Sequence, residues 1–164
     1  RKQSAAKKLV ANLKHRIAEV ERKSRGIDRP SVIVIEWLDP IMIAGHWVPQ
    51  MVEKAGGKML LSQPFHKSRK AFWQEILVAD PDVMIFAPCG FSIDRAKQEM
   101  EIFTSKPAWK RLRSVRGGKV YFVDGDAYLT RSGPRLVDGV EIMAKIFHPN
   151  LFGSPGLSEA EKCV

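Results

Sequence analysis

The chain has 164 residues, of which 45% are hydrophobic, and these values suit one globular domain with a single core. Its formal net charge of +9 leaves an anionic ligand, a lipid surface or a nucleic acid open as partners. No apolar run approaches the roughly 20 residues of a membrane helix, and Cys89 and Cys163 form no CxxC pair that would indicate a metal or redox site.

The first predicted element is a long amphipathic helix that ends near Gly26. Apolar residues recur along it at helical spacing, while basic residues occupy the opposite face. The apolar positions are Ala6, Leu9, Leu13, Ile17 and Val20. We expect residues 1–26 to form this helix, and we expect its apolar stripe to need cover, which dimerisation of the chain through the helix would provide.

Four short apolar runs follow and predict strands that are buried on both faces. They are SVIVIEW (31–37), KMLL (58–61), PDVMIFAPCG (81–90) and GGKVYFVDG (117–125). Helices are predicted at 41–55, 68–80, 92–105 and 133–149, and a poorly ordered tail at 150–164. Residues 27–149 therefore predict one α/β lobe, with three layers in the order α-β-α around a mostly parallel sheet of about four strands.

Two serines and one aromatic residue refine the helix predictions. Ser68 and Ser92 stand where an N-cap is expected, because their hydroxyls accept bonds from the free N–H groups of a first helical turn. Phe72 falls at a position that predicts contact with the sheet.

Unusual residues follow three of the predicted strands. They stand in EWLDPIMIAGHW, APCGF and DGDAYLTRSGPR. Parallel sheets bind ligands beyond the carboxyl ends of their strands, so these segments predict a binding edge.

Three segments of the chain resemble the C-terminal half of cobalamin-binding proteins, the periplasmic components of vitamin B12 ABC importers, which are related to iron-siderophore and haem binders. They are EWLDPIMIAGHWVPQMVEKAGG, ADPDVMIFAPCGF and VDGDAYLTRSGPRLVDGVEIMAKIFHP. The resemblance implies one lobe of a two-lobed protein, with the helix from Lys2 to Lys23 linking it to an N-terminal lobe that is absent. The first residue is Arg1 rather than Met, which agrees with a piece of a longer protein. A periplasmic or extracytoplasmic location is also implied.

The same resemblance implies ligand-binding residues. Trp37 takes the position of an aromatic residue that packs on the corrin ring, and Tyr128 and Arg131 take positions that contact the polar edges of the ligand. Asp126 shares their loop. Phe65 stands near a second expected aromatic position.

A docking residue for the membrane permease is implied as well. The family places a glutamate there that binds permease arginines. Gln74 occupies that position in this chain, and Glu75 is its neighbour.

Residue chemistry adds further candidates with open alternatives. Trp47 and Phe91 either line the cleft or pack beneath it. His46 either coordinates cobalt or haem iron or forms hydrogen bonds at a helix start. Asp39 either caps the following helix or joins Glu36 and His46 around a metal.

We therefore expect a ligand-binding module with no enzymatic activity and no cofactor of its own. It would capture cobalamin or a related corrinoid, haem or other metal chelate between two lobes, with an ABC permease as partner. One alternative is a metal-dependent hydrolytic enzyme that uses Glu36, Asp39 and His46. Another is a basic module that binds nucleic acid or a protein through the first helix and KPAWKRLRSVR, although no zinc-finger spacing or RNA-binding signature supports it.

Overall fold

The structure, a computed structural model, describes residues 2–163 and contains one mixed sheet with helices on both faces. The strands are β1 (Ser31–Trp37), β2 (Met42–Ile43), β3 (Lys58–Met59), β4 (Arg69–Lys70), β5 (Val83–Phe86), β6 (Val120–Val123) and β7 (Ala160–Lys162). The helices are α1 (Lys2–Lys23), α2 (Val48–Lys54), α3 (Trp73–Ala79), α4 (Ile93–Gln98), α5 (Glu101–Thr104), α6 (Arg113–Arg116), α7 (Gly125–Tyr128), α8 (Arg135–Phe147) and α9 (Pro149–Phe152), with a 3-10 turn at Trp109–Arg111.

The centre of the sheet is parallel, as the sequence predicts. β5 lies between β1 and β6, and Ile35 pairs with Phe86, which pairs with Phe122. Every residue of β5 and β6 is buried. Because helices cover both faces of these strands, their continuous apolar sequences are the expected ones. The α/β prediction is confirmed.

Short antiparallel strands extend the sheet at both sides. β2 pairs with β1, β4 pairs with β2, and β7 pairs with β6. The outer edge of β1 is divided, since β3 occupies it from Ser31 and β2 occupies it at Ile35. The four predicted strands are present, and the sheet is larger than predicted because these short pieces join it.

The predicted helix at 41–55 is wrong in its first half. The chain reverses after β1, so that Ile43 pairs with Ile35 as a strand. Helix α2 begins only at Val48, with Trp47 as its N-cap. Asp39 therefore does not cap this helix, because the antiparallel strand separates the two.

The predicted helix at 68–80 is also shorter, since α3 begins at Trp73. Ser68 does not cap it. Its hydroxyl instead accepts a hydrogen bond from the N–H of Gly45 at 3.1 Å. Phe72 precedes the first turn in extended conformation and is 77% exposed, so it does not face the sheet.

The remaining helix predictions differ in detail. The region 92–105 forms two short helices, α4 and α5, and Ser92 caps the first by accepting a bond from the N–H of Arg95 at 3.3 Å. Within the described part of the predicted tail, residues 150–163, the chain forms the end of helix α9 and strand β7, where Ala160 is buried and Glu161 pairs with Phe122.

Helix α1 contacts the lobe only through its C-terminal half. Val20 is buried and Leu13 and Ile17 are half-buried, while Ala6 and Leu9 are exposed, so the N-terminal part of the predicted apolar stripe is uncovered. Arg16 fixes the contact by donating to Asp138 at 2.5 Å and to both carboxylate oxygens of Glu141 at 2.6 and 2.8 Å. Within residues 2–163, no helix has the length and apolar character needed to cross a bilayer.

Removing the Arg16 side chain should loosen α1 from α8. We expect Arg16→Ala to lower the free energy of unfolding by about 1–2 kcal/mol, because a partly buried guanidinium that binds two carboxylates contributes more stability than a single surface ion pair. Denaturant unfolding would measure the change. Lys14→Ala, which removes an exposed cation from the same helix, should change stability by less than about 0.5 kcal/mol. Equal effects of the two variants would contradict the role of Arg16.

Candidate ligand-binding site

The carboxyl ends of β1, β5 and β6 are tied together by hydrogen bonds between their loops. The N–H of Ala87 donates to the carbonyl of Ile35 at 2.9 Å, and the N–H of Cys89 donates to that of Glu36 at 3.1 Å. We call the surface formed by Trp37, Cys89–Phe91 and Asp126–Arg131 the carboxyl rim. Its three loops form one continuous edge.

A glycine allows two of these loops to meet. A Cβ on Gly125 would lie 2.6 Å from the carbonyl oxygen of Ala87, so any side chain there would push the loops apart. Asp124 caps the short helix α7 by accepting a bond from the N–H of Ala127 at 2.9 Å. The chain thus turns sharply after β6 and presents Asp126 beside the β5 loop.

An aromatic pair forms one end of the rim. The Trp37 ring lies 5.5 Å from the Phe91 ring in an edge-on arrangement. The Arg95 guanidinium lies over the Phe91 ring, 3.6 Å from its centroid. Phe91 is 6% exposed and Trp37 is 39% exposed. The indole N–H of Trp37 donates to the carbonyl of Asp39 at 3.0 Å. Phe91 is therefore a support, and Trp37 is the aromatic surface that a ligand can reach.

Asp126 organises the other end of the rim. Its Oδ1 accepts from the N–H of Gly90 at 2.9 Å and from the hydroxyl of Thr130 at 3.2 Å, and its Oδ2 accepts from Arg131 at 2.7 Å. These bonds hold the pKa of Asp126 below its usual range, with the Gly90 N–H as the largest cause. The carboxylate is occupied within the protein, so it positions Arg131, whose side chain is 75% exposed.

Cys89 lies at the centre of the rim and is exposed. Partial burial of its sulfur, and then the nearby Glu36 carboxylate, raise the pKa of its thiol. A raised thiol pKa favours the protonated form of Cys89 at neutral pH.

Trp47, which lies below the rim, and Tyr128, which belongs to it, both pack against the hydrophobic core. The indole N–H of Trp47 donates to the carbonyl of Leu129 at 2.8 Å, which ties the start of α2 to the segment after α7. Tyr128 is half-buried at the end of α7. Trp47 therefore supports the loop that carries Arg131.

His46 and Phe65 lie at the side of the sheet, away from Trp37. The N–H of Phe65 donates to the carbonyl of His46 at 2.9 Å, and both residues have positive φ. The N–H of Ala44, two residues before His46, donates to Val34 in the middle of β1. Strand β2 thus carries His46 back along the sheet from the rim. A cavity of about 580 Å³ adjoins this region, lined by Met59–Gln63, His66, Lys67 and Arg69.

The metal-site alternative has no support in the part of the chain that the structure describes. Residues 2–163 contain no group of three or more His, Cys, Asp or Glu side chains placed to hold a metal ion. Asp39 is exposed in the turn after β1, and β2 separates it from His46.

Glu75 is engaged within the protein. It accepts from Arg69 at 2.9 Å and from the N–H of Phe72 at 2.7 Å. The Arg69 bond is the main cause that lowers the pKa of Glu75, and the Phe72 bond adds to it. Gln74 is exposed beside it.

Phe72 is a candidate that the sequence analysis missed. It is exposed at the start of α3, and the N–H of the preceding Ala71 donates to the carbonyl of Ile41 just beyond β1. Phe72 therefore lies on the same edge of the sheet as Trp37. Its place immediately before the first helical turn was the available signal.

An α/β lobe with an aromatic face and a positioned guanidinium at the carboxyl ends of its strands defines a ligand-binding module. Residues 1–127 match the sequence profile described as periplasmic binding protein, and the chain belongs to that family of solute-binding proteins. It is also 43% identical over 47 residues to the uncharacterized ABC transporter substrate-binding lipoprotein YvrC of Bacillus subtilis. That match covers 29% of this chain and 15% of the lipoprotein.

Solved structures share the fold at low sequence identity. An ABC transporter substrate-binding protein from Listeria monocytogenes is 19% identical with a TM-score of 0.77, over 88% of this chain and 57% of that one. IsdE of S. aureus, complexed with heme, is 17% identical with a TM-score of 0.76, over 88% and 58%. A component of an Fe3+-hydroxamate transport system from Saccharomonospora viridis is 22% identical with a TM-score of 0.73, over 88% and 49%. The chain thus spans about half the length of these structures.

Replacing the buried member of the aromatic pair should destabilise the chain more than replacing the exposed one. We expect Phe91→Ala to lower the free energy of unfolding by about 3 kcal/mol, because it leaves a cavity beneath Trp37 and Arg95. Trp37→Ala should cost about 1 kcal/mol or less. Denaturant unfolding of both variants would measure the difference, and a larger loss for Trp37→Ala would show that Trp37 is the packing residue.

Acid should weaken the rim as Asp126 becomes protonated. Its folded pKa lies below the unfolded value of about 3.9, so its contribution to stability is full above that value and is lost as the pH falls through the folded pKa. Asp126→Asn removes this dependence. We expect the free energy of unfolding, measured from about pH 6 to pH 2.5, to fall less steeply in Asp126→Asn than in the native chain below about pH 4.

The matched control for this pH series is Asp94→Asn. Asp94 is exposed in the first turn of α4, so the substitution removes the same charge away from the Gly90 and Arg131 contacts. Identical slopes for Asp126→Asn and the native chain would contradict the assigned role of Asp126.

Proposed function

We propose that the chain is the C-terminal lobe and linking helix of an extracytoplasmic solute-binding protein that captures a metal chelate for an ABC importer. The observation that carries the proposal is the carboxyl rim. It presents the exposed Trp37 ring at one end and the positioned Arg131 guanidinium at the other. Membership in the periplasmic binding protein family and the lipoprotein relative support the location.

The two exposed groups favour a ligand with a flat apolar face and oxygen atoms at its edge. Trp37 supplies an aromatic surface, and Phe72 supplies a second one on the same edge. Arg131 keeps hydrogen-bond donors available, because a single nitrogen of its guanidinium bonds to Asp126. A guanidinium binds carboxylate, hydroxamate or amide oxygens well. Cobalamin and related corrinoids, haem and ferric siderophores all have this chemistry. The sequence resemblance favours a corrinoid, whereas structures that share the fold carry heme and hydroxamate in their names.

One lobe covers only one side of such a ligand. Binding sites for ligands of this size bury most of the ligand surface, so a second lobe would complete the cleft and α1 would hold the two lobes at a set distance. The Arg16 contacts support a rigid link. Glu75 would reach a permease arginine only by leaving Arg69, so we propose Gln74 as the neighbouring contact there.

The four tryptophan indole N–H signals provide a test suited to weak binding. We expect the isolated chain to bind a chelate with Kd weaker than about 10 μM, because half of the ligand stays in water. Addition of cyanocobalamin, gallium protoporphyrin or a gallium hydroxamate, all diamagnetic, should shift the Trp37 indole signal in a nitrogen–proton spectrum. The Trp73 signal, whose N–H donates to Pro107 inside the protein, should stay in place.

Variants separate the rim from other surfaces. Trp37→Ala and Arg131→Ala should each weaken the binding of the active chelate about tenfold. Leu157→Ala, which removes an exposed apolar side chain from the tail, should leave binding unchanged. Loss of binding in Phe65→Ala alone would move the ligand to the side of the sheet. No shift at millimolar concentration with any of the three probes would refute the proposal.

A further inference from the structure

The amino ends of the parallel strands form a second edge, opposite the carboxyl rim. Lys58 pairs with Ser31 at the start of β3 and β1, and Lys119 immediately precedes β6. Arg116 ends the helix before Lys119, and Arg29 leads into β1. We call Arg29, Lys58, Arg116 and Lys119 the basic edge. All four side chains are exposed.

Two carboxylates at this edge share one arginine within the protein. Arg113 donates to Asp80 at 3.0 Å and to Asp82 at 2.7 Å, and Asp82 also accepts from the N–H and hydroxyl of Ser31 at 2.8 and 2.6 Å. Asp28 is a further carboxylate in the segment before β1. Arg113 offsets one of these three carboxylate charges, so the three carboxylates, Arg113 and the four cations of the basic edge together carry a formal charge of +2.

None of the four cations of the basic edge forms a direct ion pair among residues 2–163, although Lys119 attracts Asp82 at longer range. Arg29 donates to the carbonyl of Gly57, which fixes its guanidinium without cancelling its charge. Lys58, Arg116 and Lys119 form no ion pair in this described part of the chain. Adjacent strands lie about 4.8 Å apart, so the edge holds a row of exposed cations about 15 Å long from β3 to β6, with positive charge in excess.

We propose that the basic edge binds a flexible polyanion of phosphodiester-linked polyols. A row of exposed cations with a net positive charge binds repeated phosphates by releasing counterions. The large aromatic side chains that are exposed within residues 2–163, Trp37, Phe65 and Phe72, lie elsewhere, so aromatic stacking on bases is not offered at this edge. An extracytoplasmic location, which follows from the family, also favours a surface polymer over nucleic acid. The carboxyl rim lies at the other end of the strands, so both surfaces are available at once.

The test is binding of polyglycerolphosphate to the purified chain by calorimetry across a salt series. The triple variant Lys58→Glu, Arg116→Glu, Lys119→Glu should weaken binding at low salt by more than about tenfold, and the slope of log affinity against log salt should become shallower by about 2. The matched control is Lys2→Glu, Lys7→Glu, Lys8→Glu on α1, which changes the net charge equally and should alter affinity by less than about twofold.

A second variant guards against misfolding. This triple variant, Lys58→Gln, Arg116→Gln, Lys119→Gln, removes the charges without adding repulsion. It should also lose binding, while its unfolding transition stays the same as that of the native chain. Three results would overturn the proposal: no binding of the polymer by the native chain at low salt, equal loss in the α1 control, or tighter binding of a DNA duplex that the same edge variants abolish. The last result would assign the edge to nucleic acid.

Discussion

Parallel pairing of β1, β5 and β6 is the constraint on which both surfaces of the molecule depend. These strands are covered on both faces, so their backbone groups must bond to neighbouring strands rather than to water. The pairing places Ile35, Phe86 and Phe122 side by side at the same height along the strands. All carboxyl ends therefore finish together at the rim, and all amino ends begin together at the basic edge. A one-residue slip would exchange the two faces of a strand and separate the loops that Asp126 joins.

The charged side chains fall into two groups: those that bond within the lobe and hold a neighbouring residue in place, and those whose charge stays exposed to solvent. Asp126, Glu75 and Arg113 spend their hydrogen-bonding capacity on groups of the same lobe. Their neighbours Arg131 and Lys119 keep donors directed at solvent. This division matters because a carboxylate that bonds within the lobe fixes the position of a nearby cation, whereas an exposed cation is available to bind an anion. The two groups cannot be told apart from the sequence, because only the contacts in the structure distinguish them.

Sequence was informative wherever a local pattern determined the outcome. The continuous apolar runs identified the buried strands, and the residues after them placed Trp37, Asp126 and Arg131 at the carboxyl edge. The two-residue strands β2 and β4 could not be predicted, because they are too short to show periodicity and exist only through pairing with β1 and with each other. That omission also explains the placement of His46, which is close to Trp37 in sequence but is carried down the side of the sheet. Phe72 was missed for a related reason, since a helix was expected to include it.

The divided outer edge of β1 leaves the segment 62–67 outside every strand ladder. Its two ends are fixed, by the bond from Leu60 to Val32 on one side and by the pairing of Arg69 with Ile43 on the other. Lengthening a loop between fixed ends costs little, about 0.6 kcal/mol for each doubling. Phe65 and His66 are held as well, by backbone bonds with His46. Inserted residues, a reporter or a tag therefore fit best next to Gln63, which is exposed, where the sheet and the carboxyl rim would keep their geometry. The lobe has a natural attachment point at the side of its sheet, away from the carboxyl rim.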